Sequence, residues 1–278
     1  MPALAWNRYG KARVRLVKVR RGPARHDLVD LTLDVRLEGA FAPVYTEGDN
    51  RACVATDTMK NTVYAFARRD SIEHAETFAM TLAEHFCAKP AVSKARIRAS
   101  EHPWTRVSVD DRPHPYAFVR PGGERWTCSV ERDAAGAVRV SSGVANLVVL
   151  KTTDSAFSNF PRDEYTTLAD TDERILATSI AATWRYRPEV RDFGARDRVR
   201  QALLETFASH QSRSVQHTLY AMGEAALSAS ADLTDITLKL PNRHHLLVDL
   251  SPFGLDNPNE VFVATDQPYG LIEATVRR

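Results

Sequence analysis

Residues 147–174 read Leu147-Val-Val-Leu-Lys-Thr-Thr-Asp-Ser-Ala-Phe-Ser-Asn-Phe-Pro-Arg-Asp-Glu-Tyr-Thr-Thr-Leu-Ala-Asp-Thr-Asp-Glu-Arg174. An apolar strand ends in Lys151-Thr152-Thr153. The polar segment after it carries Phe157 and Phe160, and Arg174 follows seventeen residues after Phe157. A phenyl face and a guanidinium fork can together hold a flat, polar, anionic ring, one stacking on it and the other pairing with its edge.

Upstream of this stretch, residues 13–20 alternate as Arg13, Val14, Arg15, Leu16 and then slip at Val17, which predicts a strand with a bulge there. Residues 28–37 alternate more cleanly, with Leu31, Leu33, Val35 and Leu37 on one face. They predict a second strand, paired with the first through a turn near Gly22-Pro23. A helix is expected over 57–69. Asp70 with Glu73 reads as a capping box opening a second helix that ends near Cys87. Strands are expected at about 92–99, 104–110, 115–120 and 125–132.

After the turn at Ala134-Ala135-Gly136 the order starts again. Strands are expected at 137–151 and near 177–187, helices at 192–209 and 214–229, strands at 233–240 and 244–250, and a tail after Pro252. Both halves thus read ββααββ, an α+β architecture of two tandem units with boundaries at 1–135 and 136–278. The sequences of the halves are not visibly alike, so the repeat is one of architecture. Antiparallel sheets of this kind leave edges that must be covered or paired. Pairing them between subunits would close a barrel, so an oligomer is expected.

The chain's 278 residues can bury a substantial core, and 44% hydrophobic with 26% charged residues is the balance of an ordinary globular protein. A net charge of +2 is too small to imply a nucleic-acid partner, although residues 1–25 carry eight Lys or Arg and no acid. Three widely spaced cysteines, Cys53, Cys87 and Cys128, argue against a disulfide framework or zinc ribbon and for a reducing compartment. No signal pattern or membrane-length apolar run is present, and Thr275-Val276-Arg277-Arg278 is not a peroxisomal address. A cytoplasmic location and no membrane partner are the expectation. No P-loop, dinucleotide-binding glycine motif, His-Glu-x-x-His or Gly-x-Ser-x-Gly occurs. His244 and His245 would point to opposite faces of a strand, so they do not suit one metal. No cofactor is expected.

Four polar constellations remain. Lys11, in Tyr9-Gly10-Lys11, reads alone as a solvated surface charge; it can act as a base only where its surroundings favour the neutral amine. Thr56 and Asp57, in Val54-Ala55-Thr56-Asp57-Thr58, read as helix caps, at a helix end whose free N–H groups also suit an anion. Taken singly, Phe157 reads as core, Arg174 as a surface ion pair, and Gln216 of Ser214-Val215-Gln216 as a helix surface residue. Together these three make a clamp for a planar ligand. In Leu240-Pro241-Asn242-Arg243-His244, Asn242 and His244 share one strand face, although an isolated histidine is commonly structural.

All four constellations, and above all Asp163-Glu164-Tyr165-Thr166-Thr167-Leu168 within the opening stretch, resemble the urate oxidase (uricase) family. The resemblance runs from Tyr9 to Gly270-Leu271-Ile272. It implies the tunnelling fold, with a β-barrel tunnel formed between subunits of a homotetramer, and cofactor-free oxidation of urate by dioxygen and water. It implies a proton-transfer set of Lys11, Thr56 and His244, with Thr56 and Asp57 reaching the neighbouring subunit's site. Phe157 would stack on the purine, Arg174 and Gln216 would grip its edge, Leu168, Ser214 and Val215 would line the pocket, and Asn242 would face the dioxygen site. The non-peroxisomal C-terminus suggests a bacterial source. Two rivals stand beside this reading. One is a pterin-handling enzyme of the same fold, which usually carries Glu where this chain has Gln216. The other is an anion-binding protein using the basic N-terminal face.

Overall fold

The computed structural model describes residues 2–278. The chain divides into two compact units: Met1–Gly143 with Arg185–Gly194, and Val144–Trp184 with Ala195–Arg278. No helix among the described residues is long and apolar enough to cross a membrane.

The first unit contains β1 (Tyr9–Arg21), β2 (His26–Gly39), α1 (Ala42–Thr46), α2 (Thr56–Arg69), α3 (Ala75–Cys87), β3 (Val92–Glu101), β4 (Thr105–Val109), β5 (Arg112–Val119) and β6 (Arg125–Asp133). Its main sheet runs β1-β2-β3-β6, every pair antiparallel, and β4-β5 form a separate hairpin. The alternation in β2 explains the layering. Leu31, Leu33, Val35 and Leu37 are wholly buried, while Thr32, Asp34 and Arg36 between them stay half-exposed on the other face. Helices α2 and α3 cover the apolar face with Met59, Val63, Phe78, Leu82 and Phe86. Each such side chain contributes roughly 1.5–3 kcal/mol on burial.

Three local expectations are corrected here. The β1 bulge lies between Lys11 and Val14, not at Val17. Arg13 sits there at φ 57°, its N–H donated to Asp34 Oδ1 at 2.8 Å. The apparent slip at Val17 arises because Lys18 keeps its place on the helix-facing side. Its ammonium donates to Ala67 O at 2.7 Å and Asp70 O at 2.6 Å, at the C-terminal end of α2, where a cation is favoured. The capping box does not form: Asp70 closes α2, its carboxylate is taken by the Arg69 guanidinium, and α3 starts only after His74. Neither Thr56 nor Asp57 caps α2 either. The N-cap is Ala55, with no side-chain bond, and the Asp57 carboxylate is held by Lys60 and by Asn61 Nδ2 at 2.9 Å.

The second unit takes β7 (Val138–Lys151) from Val144 and β8 (Leu176–Tyr186) up to Trp184, then α4 (Arg196–Ser209), α5 (Val215–Ser228), β9 (Leu233–Leu247) and β10 (Phe262–Arg277). The strand order is β7-β8-β9-β10. Its core holds Ile180, Trp184, Leu203, Leu219, Met222 and Leu238. Gly223 lets α5 lie close on β10, since a Cβ there would come within 2.5 Å of Val276 Cγ2. The pattern is ββααββ, but the last two strands are not the expected ones. Residues 233–247 form one strand through Pro241, whose carbonyl accepts from Thr178 Oγ1 at 2.9 Å. The expected tail supplies the fourth strand, β10, antiparallel to β9. Among the described residues, β1 ends the first unit's sheet and β10 the second's, each with a neighbour on one side only.

Candidate active site

The second unit carries the residues nominated for the clamp. Phe157 lies in the loop between β7 and β8, and its backbone is tied from two directions. Its N–H donates to Thr171 O at 2.8 Å, and the Thr171 N–H returns to Phe157 O at 3.0 Å. One residue earlier, Ala156 N–H donates to Ser212 O at 2.7 Å, and Ser212 N–H donates to Asp154 O at 2.8 Å. The first pair registers Phe157 against the segment that delivers Arg174. The second registers it against the start of α5, where Gln216 stands. Phe160 stacks on Phe157 with centroids 4.9 Å apart and planes at 11°, and the Arg162 guanidinium lies 4.9 Å from the Phe160 centroid.

Arg174 places its guanidinium carbon 5.3 Å from the Phe157 ring centroid. Its Nε is buried without a hydrogen-bond partner. Burial lowers its pKa, yet a guanidinium stays charged in any accessible pH range. A cationic fork with an unmet donor beside an aromatic ring is what an anionic planar ligand requires. Arg174 also lines a cavity of about 420 Å³ with Thr152, Glu173, Ile175, His245 and Glu260 among others. The other nominated residues do not line it. His245, on the strand face opposite His244, does, and sequence patterning gave no signal for it or for Glu260.

Around the clamp, the Asp163 run forms a self-contained turn. Asp163 Oδ1 accepts from Thr166 Oγ1 at 2.8 Å and from Tyr165 N–H at 3.0 Å. The Thr166 hydroxyl, followed by the Tyr165 amide, holds its carboxyl below the usual range. Leu168 is exposed, and its carbonyl accepts from Arg162 Nη1 at 3.2 Å. Ser214 is the N-cap of α5, its Oγ accepting from His217 N–H at 3.1 Å. Val215 is buried and Gln216 exposed on the first turn. Asn242 and His244 lie opposite an irregularity in β10: Asn242 pairs with Gly270 and His244 with Thr265, so residues 266–269 bulge opposite Arg243. Bulges beside sites re-aim side chains.

The first unit carries the rest of the nominated set. Lys11 lines a shallow cleft of about 250 Å³ with Arg8, Tyr9 and Arg36. Thr56 and Asp57 open α2, whose first intrahelical bond runs from Met59 N–H to Ala55 O at 3.1 Å. The amides of Thr56 and Asp57 therefore have no acceptor within the helix. Asp57's carboxyl is held below its usual range, first by Lys60, with Lys11 contributing, so Lys11 lies within electrostatic reach of the helix start. Among the described residues no group of three or more His, Cys, Asp or Glu is placed to hold a metal ion.

Two ββααββ units of this topology, the second with Arg174 set beside Phe157, define a tunnelling-fold protein. The model of the uricase family matches residues 7–131 and 140–273, and the chain belongs to that family. It is 47% identical to the uricase of Arthrobacter globiformis over 99% of this chain and 90% of that protein. It is 37% identical to the uricase of Aspergillus flavus over 100% and 98%. The crystal structure of the Arthrobacter globiformis uricase superposes with a TM-score of 0.94 at 46% identity, covering 100% of this chain and 96% of that one. A uricase structure from Bacillus fastidious gives 0.85 at 25% identity, covering 98% and 93%.

Proposed function

We propose that this chain is a urate oxidase, converting urate, dioxygen and water to 5-hydroxyisourate and hydrogen peroxide. The observation that carries this is the Phe157–Arg174 pair, held in register by Thr171 within a chain that the uricase family model matches over residues 7–131 and 140–273. Urate as an anion is electron-rich enough to surrender an electron to dioxygen, so the protein's tasks are to bind the anion, remove a further proton and hold oxygen over the ring. This reading asks for no metal or flavin.

Arg174 and Gln216 grip the purine edge while Phe157 stacks on its face, with Leu168, Ser214 and Val215 bordering the pocket. The amides of Thr56 and Asp57 meet negative charge at the opposite edge. Lys11, Thr56 and His244 move protons, and Asn242 fixes the oxidant against the correct ring face. Thr56 and Asp57, together with Lys11 of the same unit, come from a neighbouring subunit, so the active form is a homo-oligomer, a tetramer whose sheets together enclose a tunnel. Each chain supplies two tandem tunnelling-fold units, 1–135 and 136–278, and the enzyme works in the cytoplasm.

The test is direct. Purified protein with chelator is mixed with urate in air, and urate absorbance and peroxide are followed together. Stoichiometric peroxide with urate loss is expected; no turnover overturns the proposal.

A further inference from the structure

Tyr9 is not among the residues assigned above, yet its hydroxyl makes an unusual pair of contacts. It accepts from the Val54 N–H at 2.7 Å and donates to the Val54 carbonyl at 3.1 Å. One phenol thereby satisfies both backbone polar groups of a single residue, as a strand neighbour would. The ring is held edge-on against Phe41, centroids 4.8 Å apart at 85°, and Phe41 is wholly buried. Tyr9 stands two residues before Lys11, and Val54 two residues before Thr56. The bond pair therefore joins the two segments of the first unit that carry proton-transfer residues.

The backbone around Lys11 is pinned on both sides. Gly10 lies so close on β2 that a Cβ would come within 1.9 Å of Val35 O. Beyond Lys11, the register shifts and Arg13 N–H is fixed on Asp34 at 2.8 Å. Lys11 is thus suspended between a β2 anchor and the Tyr9 tie to the start of α2.

We propose that Tyr9 is a positioning residue, setting the distance between Lys11 and Thr56 across the proton-transfer set. This rests on the urate-oxidase reading. Tyr9 does not itself shuttle protons: burial, with Cys53 beside it, pushes the phenol above its ordinary value, so it stays a neutral donor and acceptor. Its effect is geometric, and proton transfer falls steeply when partners move by fractions of an ångström.

The experiment compares the parent protein with Y9F, K11M and Y9F/K11M. Parent turnover of urate establishes the reaction first; a silent parent overturns the urate reading and this inference with it. With an active parent, Y9F should lower kcat by about 10- to 100-fold, with KM changed by less than about twofold and its pH-rate profile shifted. The oligomeric state should stay that of the parent, and the thermal unfolding midpoint should fall by only about a few degrees, as loss of two part-buried hydrogen bonds requires, with the variant fully folded at the assay temperature, which separates positioning from general destabilisation. In the K11M background the Tyr9 change should cost less than about twofold, since both act through one group. Unchanged kcat in Y9F overturns the inference while leaving the urate reading intact. So does a kcat loss that tracks lost folded protein, or one that adds in full to that of K11M.

Discussion

Phe157 and Thr171 exchange both backbone hydrogen bonds, at 2.8 and 3.0 Å, across a loop that is otherwise irregular. That single antiparallel bridge brings the phenyl ring and the Arg174 guanidinium carbon to 5.3 Å. Because the buried Arg174 Nε has no partner in the protein, its hydrogen-bonding capacity is left to a ligand. Arg174→Ala should weaken urate binding by about 1.5–3 kcal/mol, the scale of a charge-assisted hydrogen bond. Arg174→Lys should not restore it, because a point charge cannot reproduce a planar fork. Isothermal titration with a non-reactive purine analogue reads this without turnover; unchanged affinity would remove Arg174 from the clamp.

Phe160 backs Phe157 at 4.9 Å with planes at 11°, and the Arg162 guanidinium lies 4.9 Å from the Phe160 centroid. The stack fixes the plane of the phenyl ring before a substrate arrives. Phe160→Leu keeps bulk but loses the planar support. An aromatic pair is worth roughly 0.5–1.5 kcal/mol, so KM should rise by about 2- to 10-fold with kcat little changed. Steady-state kinetics on the purified variant decide it, and an unaltered KM would mean the loop backbone alone orients Phe157.

Much of this arrangement is legible in the sequence, but by two different routes. The alternation in 28–37 yields β2 because one face is wholly buried and the other is not. β10 escapes the same reading because only Val276 in it is buried, so no apolar period marks it. Pro241 reads as a strand break, yet β9 runs through it. The helix caps fail because the carboxylates of Asp70 and Asp57 are engaged by the side chains of Arg69 and Lys60, and the helices open at Ala55 and His74 with no side-chain cap bond. The site residues carry no periodic signal. Phe157 and Gln216 are each ordinary alone, and their segments are joined by backbone bridges such as Ser155–Ser212, which no local pattern encodes.

Three histidines predict that the fold loses stability in acid. His210 is held below its ordinary value of 6.5, first by burial and then by His217 and Lys151. His85 and His102 are also lowered, again chiefly by burial. The unfolded chain takes up these protons first, so stability is lost as pH falls below 6.5 toward the depressed folded values. The lowered carboxylates, such as Asp30, lose their contribution only at pH values below 3.8. The unfolding midpoint should therefore drop by on the order of a few degrees between neutral pH and about pH 5. His210→Asn, which keeps a polar atom near Thr218 Oγ1, should flatten that decline in circular-dichroism melts. An identical slope in the variant would assign the effect elsewhere.

The last prediction concerns where Thr56 acts. Thr56 and Asp57 belong to the first unit, while Phe157, Arg174 and Gln216 belong to the second. If the two groups meet across a subunit boundary, two separately impaired variants can complement each other when assayed at a urate concentration well below the KM of Arg174→Ala. Thr56→Ala supplies an intact Arg174, and Arg174→Ala supplies an intact Thr56. In oligomers reassembled from equal amounts, a site built from two chains of a symmetric assembly takes both intact residues in about a quarter of cases, and activity should recover to about that fraction. If both residues of a site came from one chain, every site would carry one defect, and mixing would restore nothing. Activity per site after co-refolding, compared with each variant refolded alone, separates the two arrangements.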